Sequence, residues 1–349
     1  MTSRPSTPFS YNLPASRIAE RPVYPFDAAR LLHINRQSGQ MADTCFHNLP
    51  ELLTSGDVLV FNNSRVLQAR LFGKIAERAT EVLLLENCKD GHNGESGNGL
   101  WRCLGKPLKK FRPGAVITFE GSVQAIVVER VREFDVILDF GNVSASKLFQ
   151  IGSMPIPPYI RGGRGDDQDA IDYQTAFAKI DGSVAAPTAS LHFTEPLLTT
   201  LRKGGVAMLE LTLHVGPASF RSVWDEAGEF HPPSSERGVI SNQVLQQIHD
   251  YKLAGKRIIA VGTTVVRALE SIARRDVEND GTFETELFIT PGFEFQIVDA
   301  MITNFHQPRS SHLLLVEAFL SRALLEAGYD HALQNEYRFL SYGDGMFIE

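Results

Sequence analysis

Short apolar runs, each closed by a polar or turn-forming residue, set the texture of this 349-residue chain. Arg30-Leu-Leu-His-Ile-Asn35 predicts a strand, followed by a turn at Ser38-Gly39, a helix-like stretch and a buried strand, Asp57-Val-Leu-Val-Phe61, that stops at Asn62-Asn-Ser-Arg65. From Val66 to about Phe149 the pattern changes. Glu81-Val-Leu-Leu-Leu85, Ala115-Val-Ile-Thr-Phe119, Val123-Gln-Ala-Ile-Val-Val128 and Phe134-Asp-Val-Ile-Leu-Asp-Phe140 are β-rich runs divided by Gly- or Asn-containing turns, the spacing of a small antiparallel barrel. Gly91-His-Asn-Gly-Glu-Ser-Gly-Asn-Gly99 predicts a flexible hairpin tip, because a phosphate loop needs a helix behind it. Met154-Pro-Ile-Pro-Pro-Tyr-Ile160 fixes its own backbone and predicts a rigid connector back to the first domain.

After residue 170, strands alternate with amphipathic helices. Thr194-Glu-Pro-Leu-Leu-Thr-Thr-Leu-Arg202 has a capping threonine and an early proline, Val206 to Leu213 predicts a strand, and Asn242 to Ala254 a helix. Arg257-Ile-Ile-Ala-Val261 predicts a buried strand running through Gly262-Thr-Thr264 into a helix, whose free N–H groups would make an anion or ribose cradle. The expected fold class is α/β: a barrel-like or wound main domain, residues 1–65 and 151–349, interrupted by an inserted small antiparallel β-barrel domain, residues 66–150.

Composition narrows the class. A hydrophobic fraction of 43% with 21% charged residues fits an ordinary mixed α/β protein rather than a disordered or fibrous one. No apolar run approaches the roughly 18 residues of a membrane span. The start, Met1 to Phe9, lacks the apolar core of a secretory signal, so a cytoplasmic location is expected. Cys45, Cys88 and Cys103 are isolated, which indicates neither a disulfide framework nor a zinc site. The net charge of -7 argues against a chain coated in nucleic acid, although a local basic patch remains open.

Candidate chemistry gathers in Val184-Ala-Ala-Pro-Thr-Ala-Ser-Leu-His-Phe-Thr194, Leu213-His-Val-Gly216 and Thr303-Asn-Phe-His-Gln-Pro-Arg-Ser310. Each sets a histidine beside hydroxyl, amide or turn-forming residues at the end of a buried run, as expected of a site built at strand ends. These stretches resemble the bacterial S-adenosylmethionine:tRNA ribosyltransferase-isomerases. So do Asp57 to Arg65, Met154 to Tyr159, Tyr173-Gln-Thr175, Gly262-Thr-Thr264 with Arg267, and Tyr337-Arg-Phe-Leu-Ser-Tyr-Gly-Asp344.

The resemblance runs in order from about residue 11 to the end. It implies transfer and isomerisation of the ribosyl part of S-adenosylmethionine onto 7-aminomethyl-7-deazaguanine at the wobble position of a tRNA with a GUN-type anticodon. The products would be epoxyqueuosine-tRNA, adenine and methionine. S-adenosylmethionine is the co-substrate, no metal is expected, and a monomer is expected.

Such chemistry needs a proton acceptor, a proton donor and clamps. His192 and His306, ahead of His214, are the candidate imidazoles, and Asp344 is a candidate acid or acceptor. Arg65 and Arg267 are candidate carboxylate or phosphate clamps. Thr188, Thr263, Thr264 and Asn304 are candidate partners for ribose or adenine, and Phe193 and Tyr159 candidate stacking residues. Lys106-Pro-Leu-Lys-Lys-Phe-Arg112 is the best basic cluster for tRNA, through Lys106, Lys109, Lys110 and Arg112 with an aromatic among them.

The sequence departs from the family pattern at Phe26, Ala29, Asn63, Ser190 and Ser234, where arginine, serine, aspartate, glycine and histidine are usual. Two further readings therefore stand beside the first. One is an enzyme of the same fold using S-adenosylmethionine with a non-tRNA acceptor. The other is a non-catalytic RNA- or adenosyl-binding protein.

Overall fold

The computed structural model describes residues 9–88, 99–131, 135–216, 235–274 and 277–349. The hairpin tip expected at 91–99 falls, except for Gly99, outside the described residues, as do Phe134 and Ser234. The chain divides into two compact units: Met1–Arg65, Tyr159–Arg161 and Asp172–Glu349 form one, and Val66–Pro158 with Gly162–Ile171 the other.

In chain order, β1 (Arg30–Ile34) and β2 (Met41–Cys45) form an antiparallel hairpin, followed by the single turn α1 (Leu49–Leu52), β3 (Asp57–Asn62) and β4 (Ser64–Val66). The helix-like stretch expected after the turn at Ser38-Gly39 begins as the strand β2 and becomes helical only at its end, in a 3-10 turn (Phe46–Asn48) that runs into α1. In the barrel unit β5 (Arg70–Ile75), β6 (Arg78–Asn87), β7 (Leu100–Lys106), β8 (Val116–Phe119), β9 (Gln124–Arg130) and β10 (Asp135–Asp139) close in the order β10-β7-β6-β5-β8-β9, followed by α2 (Ala145–Ile151). Alternate residues face the barrel interior, among them Leu71, Val82, Leu84, Trp101, Cys103, Ile117, Val127 and Leu138. Gly105 admits the Phe111 ring there: a Cβ at this position would stand 2.7 Å from it.

The remaining elements are α3 (Asp169–Asp172), β11 (Ile180–Ser183), α4 (Glu195–Lys203), β12 (Ala207–Leu213), β13 (Glu236–Val239), α5 (Asn242–Leu253), β14 (Arg257–Val261), α6 (Thr263–Ile272), β15 (Thr282–Thr285), β16 (Ala300–Asn304), α7 (Ser311–Leu320), α8 (Arg322–Gln334) and β17 (Gly345–Ile348). The α/β unit is built on an open nine-stranded sheet, β15-β13-β12-β3-β14-β16-β17-β1-β2. Of the two alternatives for the main domain, the wound sheet is the one adopted, and among the described residues it is the inserted strands that close a barrel.

At the sheet centre β12, β3, β14 and β16 run parallel. Parallel strands covered on both faces carry near-continuous apolar runs, and every residue of β3 and β16 is buried, with polar side chains confined to the strand ends. Successive side chains go to opposite faces. Val58, Val60, Ile258, Ala260 and Met301 pack with Val265, Leu269, Leu313 and Val316 of α6 and α7. Leu59, Phe61, Ile259, Val261 and Ile302 pack with Leu197, Leu198 and Leu201 of α4 on the other side. Thr194 caps α4 by accepting the N–H of Leu197, as its sequence position predicts.

Two buried polar side chains tie this frame together. Asn62, at the end of β3, donates to the Leu213 carbonyl (2.9 Å) and accepts the Leu213 N–H (3.1 Å), which fixes where β12 ends relative to β3. Glu270 of α6 is fully buried. Its carboxylate accepts the N–H groups of Gln296 (2.9 Å), Ile297 (3.0 Å) and Val298 (3.0 Å) and pairs with Arg274 at 2.7 Å, so α6 holds the segment that leads into β16.

Candidate active site

The parallel strands end at one edge of the sheet, and a cavity of about 90 Å³ lies there, lined by Val215 after β12, Gly262, Thr263 and Thr264 after β14, and Thr303 to Gln307 at the end of β16. Ala185 to Ala189, Tyr159, Tyr173, Ser310, His312, Leu340 and Ser341 complete its wall. This is the carboxyl-end crevice in which open α/β sheets bind ligands. Gly262 precedes α6 with φ +97°, a conformation glycine adopts without strain, and no side chain caps that helix. The Thr188 hydroxyl donates to Asn304 Oδ1 at 2.8 Å, and Asn304 Nδ2 donates to the Leu340 carbonyl at 3.3 Å, which locks the amide's orientation. Tyr159 and Ser341 share a hydroxyl–hydroxyl bond of 2.7 Å, and burial pushes the Tyr159 phenol up to about 12.

Two imidazoles meet at this wall. His306 has its ring Nε2 2.8 Å from Thr303 Oγ1, its backbone N–H on the Tyr329 hydroxyl (2.8 Å), and its carbonyl accepting from Tyr11 (2.5 Å). The His312 ring stacks on it, centroids 5.1 Å apart and planes within 17°. Burial, then the neighbouring ring, holds His306 well below the usual histidine range. Burial, then the Arg267 charge, brings His312 down to about 4. Both rings are neutral at pH 7, able to take up a proton and eager to release it.

Of the residues expected at the site, Thr188, Thr263, Thr264, Asn304, His306 and Tyr159 line this cavity, and the others lie elsewhere. His192 is 4% exposed and stacks on Phe46 at 4.0 Å. Its Nε2 lies 2.9 Å from the Gly343 carbonyl and its Nδ1 3.3 Å from the Ala189 carbonyl, so the single N–H of the neutral ring is donated to backbone, and burial lowers its basicity. The Phe193 ring is core, edge-on to Phe61 at 5.0 Å. Asp344 is a loop staple whose two oxygens accept the N–H groups of Arg30 (2.9 Å) and Arg338 (2.7 Å).

His214 packs its ring against the Gly182 backbone, with Nδ1 buried and without a partner among the described residues. Arg65 is half-exposed, donating to the Ala178 carbonyl (3.1 Å) and lying 3.8 Å from Asp181. Arg267 is held by the Glu236 carboxylate (2.5 Å) and the Leu287 carbonyl (3.1 Å).

In the barrel unit Lys106, Lys109 and Arg112 are exposed, whereas Lys110 donates to the Ala79 carbonyl at 2.6 Å. The aromatic of that cluster, Phe111, is fully buried and offers no stacking face. Among the departures from the family pattern, Phe26 packs on Tyr24 (5.3 Å) and Ala29 is buried. Asn63 accepts from Thr212 (2.7 Å) and donates to Glu210 (3.2 Å), while the Ser190 hydroxyl is buried without a partner among the described residues.

Sequence reasoning missed His312, whereas Tyr173 and Ser310 stood in motifs it singled out but were given no role. The one available signal was the placement of His312 just behind Ser310, which caps α7 by accepting the Leu313 N–H.

An open sheet with a polar, imidazole-bearing crevice at its strand ends defines an α/β enzyme of the strand-end ligand class. A family model described as "Queuosine biosynthesis protein" matches residues 6–348. A curated S-adenosylmethionine:tRNA ribosyltransferase-isomerase from Beijerinckia indica is 43% identical, the match covering 97% of this chain and 95% of the relative. One from Thermotoga petrophila is 39% identical, covering 97% and 98%. The fold resembles the crystal structure of S-adenosylmethionine tRNA ribosyltransferase from Thermotoga maritima, with TM-score 0.55 and 32% identity over 98% of this chain and 99% of that one. The chain belongs to the queuosine biosynthesis protein family, as its motifs led one to expect.

Proposed function

We propose that this protein is a tRNA ribosyltransferase-isomerase that moves the ribosyl part of S-adenosylmethionine onto 7-aminomethyl-7-deazaguanine at the wobble position of a tRNA with a GUN-type anticodon. It acts as a cytoplasmic monomer, and its products are epoxyqueuosine-tRNA, adenine and methionine. The observation that carries this reading is identity of 43% across 97% of the chain to a relative bearing that name.

The cavity suits the co-substrate chemically. Thr188, Thr263, Thr264 and Asn304 supply the mixed donors and acceptors that ribose hydroxyls require, while Tyr159, Tyr173 and the alanines at 185, 186 and 189 supply apolar wall. Bound S-adenosylmethionine supplies a sulfonium that acidifies the adjoining ribose C–H. A neutral imidazole of the stacked pair, the one at the start of α7, is placed to accept that proton. Lys106, Lys109, Lys110 and Arg112 provide cations for tRNA phosphate.

The test is incubation with S-adenosylmethionine and tRNA bearing the aminomethyl-deazaguanine, following adenine release and the mass of the modified nucleoside. Adenine appearing together with a ribosyl-sized mass gain is expected. Adenine without any gain on the RNA would point to a different acceptor, and absence of both would refute the enzyme reading.

A further inference from the structure

The two rings of the cavity are held very differently. His306 is fixed at three points: its Nε2 by Thr303, its N–H by the Tyr329 hydroxyl and its carbonyl by Tyr11. Its ring plane is set before any ligand arrives. His312, in the first turn of α7, is partly buried and lines the same cavity, and no hydrogen bond holds either of its ring nitrogens among the described residues. What orients it is the flat face of His306, 5.1 Å away and nearly parallel. A ring with both nitrogens unused, steadied by stacking and facing a ligand cavity, is equipped to exchange a proton with whatever occupies that cavity.

We propose that His312 is the catalytic proton carrier of this site and that His306 is the positioning residue that holds its ring. This rests on the transferase reading above. In the step it implies, the C–H bond next to the sulfonium breaks, its electron pair stays on carbon and the proton forms an N–H bond on His312. The carbon's pair then forms a C=C bond to the neighbouring ring carbon as that carbon's bond to the ring oxygen breaks. The oxygen's pair forms a carbonyl at the anomeric carbon as the glycosidic bond breaks, and the departing adenine nitrogen takes that bond's pair together with the proton from His312. His312 returns neutral and no other reactant is consumed. The setting favours the second half of the cycle, because the positive end of α7 and the charge of Arg267 both press a protonated His312 to release its proton.

The experiment compares H312Q with H306F in the full chain, the second variant keeping a flat ring and removing the titratable nitrogens. H312Q should lose at least about 100-fold in kcat with KM for S-adenosylmethionine within about threefold, and imidazole in the buffer should restore part of the rate of H312A. H306F should stay within about tenfold of wild type, since stacking survives. In ¹⁵N-histidine-labelled wild type, S-adenosylhomocysteine should shift the ring signals of His312, which tests the contact even if a variant fails to fold. H312Q within threefold of wild type, unmoved His312 signals, or H306F as inactive as H312Q would each overturn the assignment. A wild-type protein that releases no adenine would refute the transferase reading instead, and this inference with it.

Discussion

Replacing Glu270 by alanine should destabilise the α/β unit severely, and replacing it by glutamine should do so about half as much. Alanine removes the acceptor of three backbone N–H groups and the partner of Arg274 from a fully buried position. Charge-assisted bonds are worth about 1.5–3 kcal/mol each, but they are not additive and the desolvation of the carboxylate offsets part of them. A net cost of about 3–5 kcal/mol is therefore expected, the usual range for breaking a buried ion pair by removing one partner. Glutamine keeps the shape and an oxygen for Ile297 and Val298, while its NH₂ faces the Gln296 N–H and Arg274, two donors, so about 1–3 kcal/mol is lost.

Urea unfolding followed by far-ultraviolet circular dichroism reads this directly. With m of about 2–3 kcal/mol/M, the alanine variant should fall by about 1–2 M in midpoint. Trp101, inside the barrel, gives in a background with Trp224 replaced by phenylalanine a fluorescence signal from the other unit that should not move with it. If both variants unfold within about 0.5 kcal/mol of wild type, a level ordinary surface changes reach, the view that this carboxylate secures the approach to β16 is wrong.

Thr188→Val deletes the 2.8 Å bond to Asn304 and leaves its Oδ1 without that donor, so kcat/KM for S-adenosylmethionine should fall about tenfold, with Thr188→Ser restoring it; an unchanged value would remove Thr188 from the binding set. Substituting Lys109 and Arg112 together by alanine should weaken tRNA binding and reduce the slope of log affinity against log salt by about one per lost phosphate contact, leaving S-adenosylmethionine affinity alone, and an unaltered slope would exclude this cluster. His192, His214, His306 and His312 all hold protons less tightly when folded than a free imidazole does. The unfolded chain therefore binds protons first as the pH drops through about 6.5. Stability should be full above that value and decline below it by about 1.4 kcal/mol per pH unit for each such ring, until the folded ring itself titrates, near 4 for His312. Urea midpoints at pH 7.5, 6 and 5 check this, and a flat series would contradict it.

The frame was readable from the sequence because burial on both faces leaves uninterrupted apolar runs: Asp57 to Phe61 and Arg257 to Val261 became β3 and β14 almost residue for residue. The β-rich runs after Val66 became a closed barrel for the same reason, alternation matching the pleat. Met41 to Cys45 was misread because an edge strand with exposed Ala42 and Asp43 carries no apolar signature. At the site, motif membership did not separate chemistry from architecture. Thr188 and Asn304 point their polar atoms at one another in the cavity, while His192, Phe193 and Asp344, equally prominent in the same motifs, hold loops and core together. His312 escaped notice because it opens Ser-His-Leu-Leu-Leu-Val, whose apolar content describes a packed helix, and nothing local reveals that its ring meets His306.

The position of β17 has a bearing on how the molecule is made. Residues 345–348 sit between β16 and β1, so among the described residues the β1–β2 hairpin joins the rest of the sheet through them. Until β17 is in place β1 has no strand on its inner edge, and a pairing this distant in sequence is expected to close late, the kind of long-range step that leaves an exposed strand edge open to aggregation. Removing residues 345–348 is therefore expected to free β1 and β2 from the sheet, not merely to shorten a strand.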